Sequence, residues 1–421
     1  SSAASDVYKR QAVDGAAGGI EVSADEVVLK DAMISSSVLG GEKDAGQVRF
    51  NVSHLAIAGS TVSSETKGAG DAGSVFLNVA TLEAQGSQIS SSSTASSSGQ
   101  PGSITILEAG AGPADRVALT GSQILTQIQG AEGGRRPTNA EDVGQIQIVA
   151  DTLRLDGSQI SGTTAGIGDA SVMRLWANEF ALQGSEISSS TSAVGDTPGD
   201  AGQIFIRGAH GVPSIASKLA LVDSEIRTGT TGGGFGGEIQ IDAVDVSLSE
   251  GSEISASTAN TGSAGDITAK VGTLSSEGRL ITSGSTGAAF DAGAAGSITL
   301  NAPDSISIDR GGLTTVANGG AGGSIDVSAS NAVSLAAAEV LATVQGGEQP
   351  GGDVTLTARE IQLTDGTAIE AESEGTGTAG AVAIGDAGTE SLRLQNSTVS
   401  TNAAKADGGN INVQALSLIH I

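Results

Sequence analysis

The feature that most restricts this chain is a repeat. Its most regular copy, GQIQIVADTLRLDGSQISG at residues 144–162, follows the template G-x-I-x-I-x-A-x-x-L-x-L-x-G-S-x-I-S. A Ser/Thr/Gly-rich stretch and a return, often D-A-G, lead into the next copy. The first apolar position falls at Ile20, Val48, Val75, Ile104, Ile146, Met173, Ile204, Ile239, Ile267, Ile298, Ile325, Val354, Val382 and Ile411. Neighbouring copies lie 27–31 residues apart, apart from two gaps of 42 and 35. Self-similarity at such a period marks a solenoid, in which each unit buries its apolar face only against its neighbours.

Within a copy the apolar residues alternate with polar ones: Ile146, Ile148 and Ala150, then Leu153 and Leu155, then Ile160. Period two means strands with one buried face. The phase breaks at Asp151–Thr152 and again at Asp156–Gly157, where turn-prone residues redirect the chain. The pattern predicts a right-handed parallel β-helix of about 14 coils, about 30 residues each, with three short strands per coil. At ~4.8 Å per coil the stack is expected to reach about 65 Å. A leucine-rich repeat would need its asparagine-bearing consensus and helical segments. A helical repeat would need a 3.6-residue period. The sequence has neither.

Composition fits a narrow solenoid. Of 421 residues, 63 are glycine, 38% are hydrophobic and only 2% are aromatic. Small aliphatic side chains therefore fill the interior, and recurrent glycines are expected at corners that need positive φ. Collagen is excluded, because glycine has no third-residue period. The 47 acids against 20 bases give a net charge of −27, and such a surface repels nucleic acid. No apolar run approaches the ~18 residues of a membrane span. With no cysteine, disulfides and thiolate metal sites are absent.

Residues 1–11 (SSAASDVYKRQ) and 416–421 (LSLIHI) fall outside the repeat and resemble translated sequencing-adapter read-through. Both are set apart as non-native ends, with a single β-helix over 12–415 and the chain taken as an internal fragment of a longer protein. The units DAGQVRFNVSHLAIAGSTVSS (44–64), GDAGSVFLNVATLEAQGSQISSSS (70–93) and GDAGQIFI (199–206) resemble filamentous-haemagglutinin-type exoproteins. That resemblance covers nearly all of 12–415. It implies a bacterial surface protein with a β-helical stalk, exported by two-partner secretion through an outer-membrane partner. The family's amino-terminal secretion domain is not evident. The implied partners are a host, cell or matrix surface, glycan or protein, reached through other regions of the full-length chain.

Candidate chemistry follows the repeat. In G-S-x-I the x position points outward, and reading it along the stack gives Gln88, Gln123 and Gln159, then Glu186, Glu225 and Glu253. Stacked glutamines hydrogen-bond along a ladder, whereas stacked glutamates ~4.8 Å apart in water repel by about 0.9 kcal/mol per pair. A cation such as Ca²⁺ would relieve that repulsion, so these three glutamates are the calcium candidates beside the simpler reading of a solvated acidic face. The D-A-G returns add Asp44, Asp71, Asp169, Asp200 and Asp291, whose ordinary role is to hydrogen-bond the backbone. The calcium nonapeptide pattern is imitated once, at GGGFGGEIQID (232–242), and not in tandem.

Sites tend to break a repeat's regularity, and three breaks stand out. The longest gap holds residues 107–116 and 129–143, the latter with the basic pair Arg135 and Arg136. The 35-residue gap holds 207–218 with His210. The single tryptophan, Trp176, falls at an outward position. These four residues are the candidate binding positions. A solenoid's insertions map to surface loops, which carry binding and also tolerate length cheaply. No catalytic residue stands apart, since the carboxylate pairs recur in step with the repeat. The expected function is thus a structural stalk segment of a secreted adhesin, without enzymatic activity. Two other roles compete: a β-helical polysaccharide lyase or hydrolase, and a surface-layer or matrix component.

Overall fold

A computed structural model describes residues 7–12, 15–94, 98–129, 144–166, 168–192, 199–209, 214–278, 280–287 and 292–420. Every regular element among them is a strand, and every strand pairing is parallel. No described helix is long and apolar enough to cross a membrane. The chain forms two compact units, Ser1–Ser217 and Lys218–Ile421, and each is a β-solenoid.

In the first unit the predicted apolar positions stand in one column: Ile20 faces Val48, Val48 faces Val75, Val75 faces Ile104, Ile104 faces Ile146, Ile146 faces Met173, and Met173 faces Ile204. The second unit repeats this from Ile239 through Ile267, Ile298, Ile325, Val354 and Val382 to Ile411. The turns number about 13, at about 28 residues each. The sequence expectation was slightly higher on both counts. The insertions lengthen the mean spacing without lengthening a turn, and the last copy is incomplete.

Each turn carries three strand directions, but the first two often run as one bent strand. Ile20–Lys30, Val48–Ala58 and Val75–Gln85 are continuous through the corner, whereas Ile298–Ala302 and Ser305–Asp309 are separate. The third strand, such as Thr61–Thr66 or Gln88–Ser93, forms a second sheet with its copies above and below. Inward side chains are almost wholly buried, from Val48 and Leu77 to Ile254 and Leu356, and Phe50 and Phe180 bring two rings into the aliphatic core. Val7–Ala12 and Ser417–His420, which the sequence sets apart from the repeat, pair in parallel with Met33–Val38 and Ser391–Leu394.

Two glycine columns do different work. The glycine of G-S-x-I, at Gly59, Gly86, Gly121, Gly157 and Gly184, has φ between 54° and 57°, as expected for a corner. The glycine of D-A-G does not. At Gly46, Gly73 and Gly202, and at the equivalent Gly265 of S-A-G, a Cβ would lie 1.9–2.5 Å from a backbone carbonyl oxygen of the turn before. Here glycine permits close stacking of return loops rather than a left-handed backbone, which corrects the single explanation drawn from sequence.

Candidate functional site

The outward ladder of the third strand is assembled in the predicted order. Gln123 pairs with Gln88 and Gln159, and Gln159 with Glu186. The Gln123 amide donates to Gln159 Oε1 at 3.3 Å, and the Gln159 amide donates to Glu186 Oε2 at 3.0 Å. In the second unit Glu225 faces Glu253, which in turn faces Leu280. Arg227 lies 3.6 Å from the Glu225 carboxylate. The calcium candidates are thus answered by an amide, a guanidinium and an apolar neighbour. Calcium takes six to eight oxygens, yet among the described residues no three His, Asp or Glu side chains group closely enough to hold a metal.

The D-A-G aspartates have a specific task. Asp44 Oδ1 accepts the Asp71 N–H at 2.9 Å, Asp71 Oδ1 accepts the Gln100 N–H at 2.8 Å, and Asp169 Oδ1 accepts the Asp200 N–H at 2.9 Å. In the second unit Asp266 and Asp353 serve Ser297 and Ala381 in the same way. Each carboxylate caps the backbone of the following turn rather than its own. Asp291 lies outside the described residues.

The serine of G-S-x-I forms a second chain of hydrogen bonds, buried and not foreseen from sequence. Ser60 N–H donates to Ser87 Oγ, Ser87 N–H to Ser122 Oγ, Ser122 N–H to Ser158 Oγ and Ser158 N–H to Ser185 Oγ, all at 3.1–3.2 Å. The hydroxyls of Ser87, Ser122 and Ser158 donate in turn to the carbonyl two residues earlier. Buried polar groups are costly unless paired, and this arrangement pairs the corner N–H of one turn with the hydroxyl of the next. The signal was present in the sequence as a recurrent small hydroxyl two positions before an inward aliphatic residue.

Acids crowd one place on the third strand of the second unit. Burial pushes the Glu370 carboxyl above the usual carboxylate range, and the charges of Glu372 and Glu339 raise it further. Glu372 accepts the Ser400 hydroxyl at 2.8 Å and the Asn402 amide at 2.9 Å.

Of the candidate binding positions, Arg135, Arg136 and His210 lie outside the described residues. Trp176 is where the alternation puts it, half-buried and outward between the fully buried Leu175 and Ala177. Its register neighbours are Val149 and Arg207. On the same strand Arg174 faces Gln147 and Phe205, and its guanidinium donates to Gln145 Oε1 at 2.5 Å. Arg207 lies 5.7 Å from the Phe205 ring centroid. Lower on the same face Arg49 sits 4.2 Å over the ring of its neighbour Phe76, a cation–π distance. The sequence singled out the tryptophan alone, because the arginines and phenylalanines around it are far apart in the chain and meet only through the register.

No protein-family model, curated protein or solved structure matches this chain.

Proposed function

We propose that these turns are a structural stalk segment of a secreted bacterial surface adhesin, carrying binding modules of a longer protein away from the cell. The observation that carries this reading is the unbroken register within each unit. Strand ladders, serine hydroxyls and aspartate caps all tie one turn to the next, so the hydrogen bonding serves the stack rather than an isolated site. The acids recur with the repeat, and the carboxylates of Asp44, Asp71 and Asp169 already hold backbone N–H groups. Such a composition also suits export of an unfolded chain. A cysteine-free repeat that stabilises one turn against its neighbour folds progressively once outside. The resemblance to filamentous-haemagglutinin-type exoproteins favours an outer-membrane secretion partner and a cell-surface location.

Antibody raised against the solenoid tests this directly. Intact, unpermeabilised cells of the organism that makes the protein should be labelled, and the epitope should be removed by added protease. Labelling that appears only after permeabilisation overturns the reading.

A further inference from the structure

We propose that the outer face of the first strand in unit Ser1–Ser217 binds an acidic polysaccharide, a chain of uronate sugars, with Trp176 as its stacking platform. This face is poor in acids. Across six of the unit's seven turns its residues, 47–51, 74–78, 103–107, 145–149, 172–176 and 203–207, include no Asp or Glu, and Glu21 on the turn before them is the one acid of this face. The same positions in the second unit carry Glu238, Asp242, Asp266, Asp326 and Asp353. In a chain with 47 acids and 20 bases, the strip instead gathers Arg49, Arg174 and Arg207 with Phe76, Trp176 and Phe205.

The register sets these groups in a pattern that suits one ligand. Arg174 and Trp176 alternate outward on one turn, and Phe205 and Arg207 stand beside them on the next, so that each guanidinium neighbours a ring. A sugar ring lays its apolar face on an aromatic surface, while a guanidinium donates two parallel hydrogen bonds to a carboxylate. A uronate sugar presents both features together. Amides complete the strip: Gln147 lies beside Arg174, and the Asn78 amide donates to Asn51 Oδ1 at 2.7 Å. From Arg49 to Arg207 the strip crosses five turn spacings, about 24 Å at ~4.8 Å each, enough for several linked sugar rings.

The charge pattern favours an anionic ligand over a neutral one. Carboxylates are good acceptors for sugar hydroxyls, so a neutral glycan gives no reason to exclude them, whereas an anion is repelled by each one. The nearest acid, Glu21, bounds the strip on the turn before Arg49, its register partner, and accepts the Asn51 amide at 2.9 Å; the others lie off the strand. Asp151 sits past the corner and accepts the Asn178 amide at 2.9 Å, Glu108 opens the exposed loop after Leu107, and the return-loop aspartates on the other edge hold backbone N–H groups.

This proposal does not depend on the stalk reading: it concerns the purified chain in solution, whereas antibody labelling reports cellular location. Trp176 is the only tryptophan, so intrinsic emission reports this strip alone. Titration of the whole chain with polygalacturonate at low salt should shift that emission saturably, and about 0.5 M salt should abolish the shift by screening. Dextran, a neutral polymer, should leave it unchanged. Arg174→Gln and Arg207→Gln should each weaken binding about tenfold with an unaltered β-type circular dichroism spectrum, while Lys270→Gln on the second unit should bind as the parent does. An emission that polygalacturonate does not move, an equal response to dextran, or arginine variants that bind like the parent would overturn the proposal.

Discussion

At the scale of single residues, glycine shows how one residue type answers two physical demands. Gly157 sits at φ 56° with open space where a Cβ would go, so only its backbone conformation is special. Gly265 has an ordinary φ, but its Cβ would stand 1.9 Å from the Gly237 carbonyl oxygen. Gly157→Ala should therefore cost about 1–2 kcal/mol, the left-handed penalty alone. Gly265→Ala should cost about 3 kcal/mol or more, because the backbone of two turns must part. Chemical denaturation of the two variants, compared by midpoint, checks the ranking. The sequence made the corner glycine legible through its place before Ser and the inward Ile. It could not separate the second class, since close approach between turns depends on how tightly return loops stack. The aspartate caps were hidden for the same reason: Asp44 and Asp71 are 27 residues apart, and only stacking brings one carboxylate to the other's N–H.

At the scale of the strand, the outward ladders were readable because parallel, in-register pairing places equivalent positions of successive turns side by side. Thr61, Gln88, Gln123, Gln159 and Glu186 became neighbours for that reason. What such a row does with its charge was less legible, because the partner at each step differs: an amide at Glu186, a guanidinium at Glu225, a leucine after Glu253. Glu370 shows the cost when no partner intervenes. Its folded-state pKa is raised, chiefly by burial and then by Glu372 and Glu339, so the folded chain holds that proton more tightly than the unfolded chain does. By linkage this group lowers stability as pH rises through its folded value, and the loss disappears below the ordinary glutamate pKa. Glu370→Gln should raise the melting temperature at about pH 7 and leave it unchanged below about pH 3.5, where the parent carboxyl is also neutral. Scanning calorimetry at the two pH values checks this. A gain of equal size in acid would assign the effect to packing instead.

At the scale of the molecule, the repeat explains most of the chain by a single rule, that one copy is one turn. The exceptions are insertions, not altered turns: Ile104 and Ile146 are still register partners although they lie 42 positions apart. The candidate site was less legible than the fold. Periodicity reports which side chains face outward but not which distant residues share a patch, and Arg49, Arg174 and Phe205 belong together only once the turns are stacked. The division at Ser217 and Lys218 falls at the end of residues 207–218, the segment that widens one repeat spacing to 35. The central claim is that turns are interchangeable units held by register, and removing one tests it most directly. Deleting residues 48–74 joins Gln47 to Val75, the register partner of Val48, so Ile20 gains the same kind of neighbour it lost. Deleting only 48–61 joins Gln47 to Val62 and puts a third strand where a first belongs. Thermal unfolding followed by circular dichroism should show a cooperative β-type transition for the whole-turn deletion, within several degrees of the parent, and none for the partial one. Loss of folding in the whole-turn deletion, or equal tolerance of both, would contradict the account.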